Sequence, residues 1–346
     1  MKRIIPLCLA LVMTVGLLAG CGKQNEPAAS DETRLRVVTT IFPEYDWVRE
    51  ILGDKADNAE VTMLLDNGAD LHSYQPTADD IVKISECDLF IYVGGESDDW
   101  VDDALKNAAN KNMKVINLLE ALGERVKTEE VVEGMQEEEH DHDHDHDHDH
   151  EDADEHDDAK EHDYEEEAEY DEHVWLSLKN AQTLCSAISA VLQQIDPDNK
   201  DTYAANASAY IKKLSALDAD YQAAVDAAAC KTVLFGDRFP FRYLAEDYGL
   251  RYYAAFAGCS AESEASFETI SFLAGKVDEL NLPCVLTIEG VQHKIAETIV
   301  RNTAAKNQKV LTMDSMQSTT SKDAANGTTY LSVMERNLSV LKEALG

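Results

Sequence analysis

The chain has 346 residues, with 30 Lys and Arg against 67 Asp and Glu, a formal charge of −37 and 44% hydrophobic residues. Such a balance excludes partners that need a basic surface, nucleic acid and anionic lipid among them, and points toward cations. The acidity is local, because residues 128–172 hold 25 acidic residues against Lys160 alone, net −24, leaving −13 elsewhere.

The chain opens with Lys2 and Arg3, an apolar run from Ile4 to Leu18, and then Leu18-Ala19-Gly20-Cys21. This pattern is that of a secretory signal with a lipobox over residues 1–21, with Cys21 as the lipid-bearing first residue of the mature chain. No later stretch approaches the roughly 20 apolar residues needed to cross a bilayer. The expectation is an extracytoplasmic protein anchored to the membrane and not spanning it.

Residues 22–34 read as a polar linker, after which strand and helix patterns alternate. Strands are expected at 35–41, 60–65, 89–93 and 114–118, with helices after Pro43, over 78–85 and over 100–109. Residues 180–194 form another apolar-periodic helix, which completes an N-terminal α/β lobe over 35–198. Residues 199–229 are Ala-rich, free of Gly and Pro, and predict one helix of more than about 40 Å. A C-terminal α/β lobe follows over 230–346, with strands at 232–235, 251–254, 284–288 and 310–313. The fold class is therefore α/β: two lobes, each a mainly parallel sheet with flanking helices, joined by a long rigid connecting helix. Open parallel sheets bind ligands beyond the carboxyl ends of their strands, which places a site in the cleft between the lobes.

Beyond Cys8 and Cys21, the cysteines are Cys87, Cys185, Cys230, Cys259 and Cys284. An odd number without CxxC spacing is neither a disulfide framework nor a thiolate zinc motif, so buried structural cysteine is the default, with one bridge among the last three left open.

Histidine carries the chemistry. Within 128–172, His140, His142, His144, His146, His148 and His150 alternate with aspartate, and His156 and His162 follow. With almost nothing apolar, the stretch is expected to be a disordered insertion. Its paired imidazoles would collect zinc, nickel or copper weakly and at many points. Three histidines lie elsewhere: His72 in Gly68-Ala69-Asp70-Leu71-His72-Ser73-Tyr74-Gln75-Pro76-Thr77, His173 in Asp171-Glu172-His173-Val174-Trp175-Leu176, and His293. The first two stand at loop-to-helix junctions, where a metal ligand is readily positioned.

These blocks, with VVTTIFPEYDWVREI at 37–51, the Tyr248-Gly249-Leu250 turn and IEGVQHKIAETI at 288–299, resemble the solute-binding lipoproteins of zinc and manganese ABC importers, the zinc-uptake A or TroA-like family. The resemblance covers essentially the whole mature chain. It implies that His72 and His173 coordinate the metal, that Asp314 after the last strand is a further ligand, and that an importer permease receives the cargo. It also shows a departure. Where family members carry a His, or a Glu in manganese types, this chain has Arg238, which cannot bind a metal. Asp237, Glu289 and His293 are then the open candidates for the third ligand, Glu289 first among them, with Arg238 as a charge partner for a ligand carboxylate.

The expected activity is capture of Zn2+, as transported ligand, by a monomeric lipoprotein, and acid should release the metal because protonated imidazole does not coordinate. The alternatives are a manganese or iron binder of the same family, a metalloenzyme, and a surface adhesin. HExxH, GxSxG, GxxxxGK[ST] and GxGxxG are absent, which weighs against an enzyme.

Overall fold

The computed structural model describes residues 34–136, 169–260, 264–290 and 293–346. The signal with Cys21, most of the linker and the histidines from His140 to His162 lie outside the described residues.

Strand β1 (Leu35–Thr39) runs into helix α1 (Phe42–Leu52), where Pro43 sits in the first turn, the position at which its missing N–H costs no helical bond. There follow β2 (Ala59–Met63), α2 (Ala78–Glu86), β3 (Leu89–Tyr92), α3 (Trp100–Lys106), β4 (Lys114–Asn117) and α4 (Leu118–Leu122). Helices α5 (Leu178–Ile195) and α6 (Lys200–Ala227) connect to β5 (Thr232–Arg238), α7 (Arg242–Tyr248), β6 (Arg251–Phe256), α8 (Phe267–Leu280), β7 (Cys284–Thr287), α9 (Lys294–Asn302), β8 (Lys309–Thr312), α10 (Ser321–Ala325) and α11 (Tyr330–Leu345). All strand pairs are parallel, in the orders β2-β1-β3-β4 and β6-β5-β7-β8, so the same topology occurs twice. The central strands β3 and β7 are buried at every residue, as expected of parallel sheets covered by helices on both faces. In each sheet the chain goes first to one side of the leading strand and then to the other, leaving a crevice at the carboxyl edge.

Helix α6 is the expected connecting helix, about 42 Å long. Its buried residues Tyr203, Ala207, Tyr210, Leu214, Leu217, Tyr221 and Val225 recur every three or four positions, a single stripe facing the core. The larger core is continuous across both lobes, from Val37 and Phe90 through Leu214 and Tyr221 to Phe235, Leu286 and Tyr330. A smaller one, with Leu234, Phe256, Leu273, Val285 and Ile299, belongs to the second sheet. Tyr330 fastens the two halves: its ring meets Trp47 edge-on at 5.1 Å, its N–H donates to Asp46 Oδ2 at 2.9 Å, and its hydroxyl donates to the Trp175 carbonyl at 2.6 Å.

One feature differs from expectation. The acidic insertion is anchored at both ends: Thr128 bridges Tyr170, Glu129 N–H donates to the Glu169 carbonyl, and Gln136 N–H donates to the Ala255 carbonyl of β6. The physical reason is a short apolar cluster in an otherwise charged stretch, with Met135 buried and Val132 packed on the core. All five described cysteines are free, so no bridge joins Cys230, Cys259 or Cys284.

Removing the buried hydroxyl in Tyr330→Phe leaves the Trp175 carbonyl without that donor and should lower unfolding stability by about 1–3 kcal/mol, read as a shift of the urea midpoint. Glu44 provides a pH test. Burial, with Asp98 adding, pushes its carboxyl up to about 8, although Thr40 and Ile41 donate to it. The native state therefore holds a proton there that the unfolded chain releases in the ordinary carboxylate range. The associated stability is complete at low pH and is lost as pH rises through about 8. Thermal midpoints of the zinc-free protein should fall from about pH 6 to about pH 9, and Glu44→Gln should flatten that fall.

Candidate metal centre

His72 sits on the loop after β2, in the single turn Leu71–Ser73 that Asp70 caps by accepting from His72 N–H at 3.1 Å. His173 precedes the turn Val174–Leu176 that leads into α5, and its own N–H donates to Asp171 Oδ1 at 2.9 Å. The two Nε2 atoms face each other at 3.2 Å.

Each ring is fixed from behind. His173 Nδ1 lies 3.0 Å from Asp171 Oδ1, and His72 Nδ1 lies 2.9 Å from Ser97 Oγ and 3.3 Å from Glu172 Oε2. Asp171 behind one ring, and Ser97 with Glu172 behind the other, orient the imidazoles so that their Nε2 edges meet in the cleft, the arrangement that supports metal-binding histidines. Burial pushes the Glu172 carboxyl up, but the bonds from His72 and Ser97 outweigh it and hold it below the usual range. Ser97 N–H reaches Glu172 Oε1 at 2.9 Å through the Gly94-Gly95 turn after β3. Gly95 has φ +85°, and a Cβ there would run into the Glu172 side chain, so this turn requires glycine.

The C-terminal lobe closes the other side. Among the described residues, one set of three potential ligands has all its donor atoms within 4.8 Å of one another: His72, His173 and Cys259. Cys259 lies just past the carboxyl end of β6, and its N–H donates to Glu129 Oε1 at 2.8 Å. The Gln317 amide lies 3.3 Å from His173 Nε2. With its oxygen turned to the imidazole, its nitrogen donates to both Asp70 oxygens at 2.9 and 3.1 Å. Arg238, the last residue of β5, pairs with Asp70 through Nη2 at 2.6 Å. Burial pushes the Asp70 carboxyl up, and Arg238 and His72 together hold it below the usual range. His173 is fully buried, while the His72 side chain is 14% exposed.

The acids nominated by sequence are engaged elsewhere. Glu289 accepts from Ser315 N–H and Oγ–H and from Gln317 N–H, at 2.6, 2.7 and 3.0 Å. Asp314 accepts from Met316 N–H at 2.8 Å, with Arg336 at 3.7 Å. Asp237 accepts from the N–H groups of Arg238 and Ile288, and His293 stands at the start of α9 with a buried Nδ1. None of the four joins the three-donor set among the described residues. Arg238 does neutralise a carboxylate, but that of Asp70, which sequence reasoning did not single out. Asp171, Glu172 and Gln317 were also missed. The first two were visible as acids next to His173, and Cys259 was visible only as a residue at a strand's carboxyl end.

The family model for the periplasmic zinc-uptake complex component A, ZnuA, matches residues 37–344. The high-affinity zinc uptake system protein ZnuA of Bacillus subtilis is 31% identical over 331 residues, covering 95% of this chain and 94% of that protein. The zinc-binding lipoprotein AdcA of Streptococcus pneumoniae is 32% identical over 343 residues, 99% of this chain but 61% of AdcA. The crystal structure of the Zn(II)-bound ZnuA-like domain of the same AdcA superposes with a TM-score of 0.65 at 28% identity, over 90% of this chain and 99% of that domain. With the duplicated parallel sheets, the facing imidazoles and a family match over nearly the full described length, the chain belongs to the ZnuA family of zinc-uptake solute-binding proteins.

Proposed function

We propose that the protein captures Zn2+ outside the cytoplasm and delivers it to the permease of an ABC importer, while held at the membrane by lipid on Cys21. The observation that carries this is the His72 and His173 pair. Two nitrogens each about 2.0–2.1 Å from a tetrahedral zinc sit roughly 3.3 Å apart, and the facing Nε2 atoms are 3.2 Å apart. The relatives named for zinc uptake and zinc binding support the same cargo.

Two imidazoles favour zinc over manganese, which prefers oxygen ligands. The role is capture and release, in keeping with a family of solute-binding proteins, and the bound metal is cargo rather than a catalyst. Glu289 and Asp314 hold the loop after β8 that carries Gln317 toward His173. Residues 137–168, with their alternating histidines, serve as a collector. Its anchored stem runs beside the site, since Glu129 holds Cys259 and Gln136 holds β6, so zinc collected there is released next to the His pair.

Calorimetric titration should show one tight zinc site in the wild type, weakened by more than about 100-fold in His72→Ala His173→Ala; equal tight binding in both would contradict the assignment. Deleting residues 137–168 keeps the Thr128 and Tyr170 bridge. It should leave the tight site intact while slowing zinc-limited growth in chelated medium, with rescue by added zinc.

A further inference from the structure

We propose that Cys259 Sγ, as a thiolate, is the third protein ligand of the zinc held by His72 and His173, supplying what Arg238 cannot. The inference rests on the zinc-capture reading and deepens it by naming the donor set.

The geometry is specific to this cysteine. Its sulfur lies within 4.8 Å of a ring nitrogen of each histidine, and among the described residues Cys87, Cys185 and Cys284 are buried without forming such a set. In a tetrahedral zinc site the sulfur sits about 3.6 Å from each nitrogen, inside the span of these three donors. The approach of this segment to His173 depends on Gly258, where a Cβ would lie 3.1 Å from both Cε1 and Nδ1 of the ring. The backbone of Cys259 is fixed by Glu129, and the next carbonyl, that of Ser260, accepts from Arg238 Nη1 at 3.4 Å. Arg238 therefore spans the cleft, pairing with Asp70 on one side and holding the cysteine's loop on the other. A cation at the position of the lost ligand cannot coordinate, but here it orients the residue that can.

The electrostatics agree. Burial pushes the free Cys259 thiol up, with the charges of Glu129, Asp171 and Glu172 adding to it. Zinc arriving at the two imidazoles supplies the missing positive charge. The Zn–S bond then forms as the S–H bond breaks, and the proton leaves to solvent. Two neutral imidazoles and one thiolate leave a single positive charge on the centre, which Asp171 and Glu172 behind the rings offset. A sulfur donor also makes the site softer than a carboxylate would, favouring zinc over manganese.

Cobalt provides the test, because Co2+ replaces Zn2+ with similar geometry and a sulfur ligand adds an intense near-ultraviolet charge-transfer band that nitrogen and oxygen ligands do not. The full chain, its Cys259→Ser variant and the His72→Ala His173→Ala variant are titrated with Co2+. The expected result is a band that saturates at one equivalent in the wild type and is lost in Cys259→Ser, with zinc affinity lowered on the order of 100-fold and manganese affinity little changed. Zinc should also protect Cys259 from alkylation in the wild type, read by peptide mass spectrometry. Tight binding that requires the two histidines but shows no sulfur band and no protection overturns the Cys259 assignment and leaves zinc capture standing. Loss of all histidine-dependent binding overturns both.

Discussion

The site depends on two imidazole edges held 3.2 Å apart with no freedom to turn away. Each ring is held on its far side, His173 by Asp171 and His72 by Ser97 Oγ with Glu172 beside it. Those acids are in turn held by backbone donors, Ser97 N–H on Glu172 among them. The requirement for Gly95 behind Glu172, and the tight approach of Gly258 to His173, show how closely the backbone has been drawn in to hold the rings there.

The rest of the fold keeps that pair in register. Both sheets present their carboxyl edges to the same crevice, so the loops after β2, β3, β5, β6 and β8 all converge on it. Because one core runs through α6 and both sheets, and because Tyr330 is bonded to Asp46 and Trp175, displacement of one lobe against the other must break buried contacts. Loading of the site therefore calls for small adjustments of loops rather than a hinged closure.

Much of this was legible in the chain. All eight strands were visible as β-branched or aromatic runs, and the connecting helix was visible to within two residues at each end, since 28 residues without Gly or Pro admit little else. His72 and His173 stood out because each falls in a motif at a loop-to-helix junction. The carboxylates did not resolve, for a physical reason. An acid following a strand is as well placed to accept from the N–H groups of the next turn as to face the cleft, and Glu289, Asp314 and Asp237 do the former. Cys259 was passed over because its neighbours in space come from the other lobe. No local spacing records that meeting, which follows only from the strand order β6-β5-β7-β8 and the crossing of Arg238 to Asp70.

The central claim is that the facing imidazoles of His72 and His173 are the seat of the cargo. A crystal structure of the zinc-loaded protein, with diffraction collected on both sides of the zinc absorption edge, tests it most directly. The account predicts a single strong anomalous peak within the described fold, bonded to both Nε2 atoms. A peak placed instead among Glu289, Asp314 and Asp237, with the two imidazoles still facing each other across an empty gap, would contradict it.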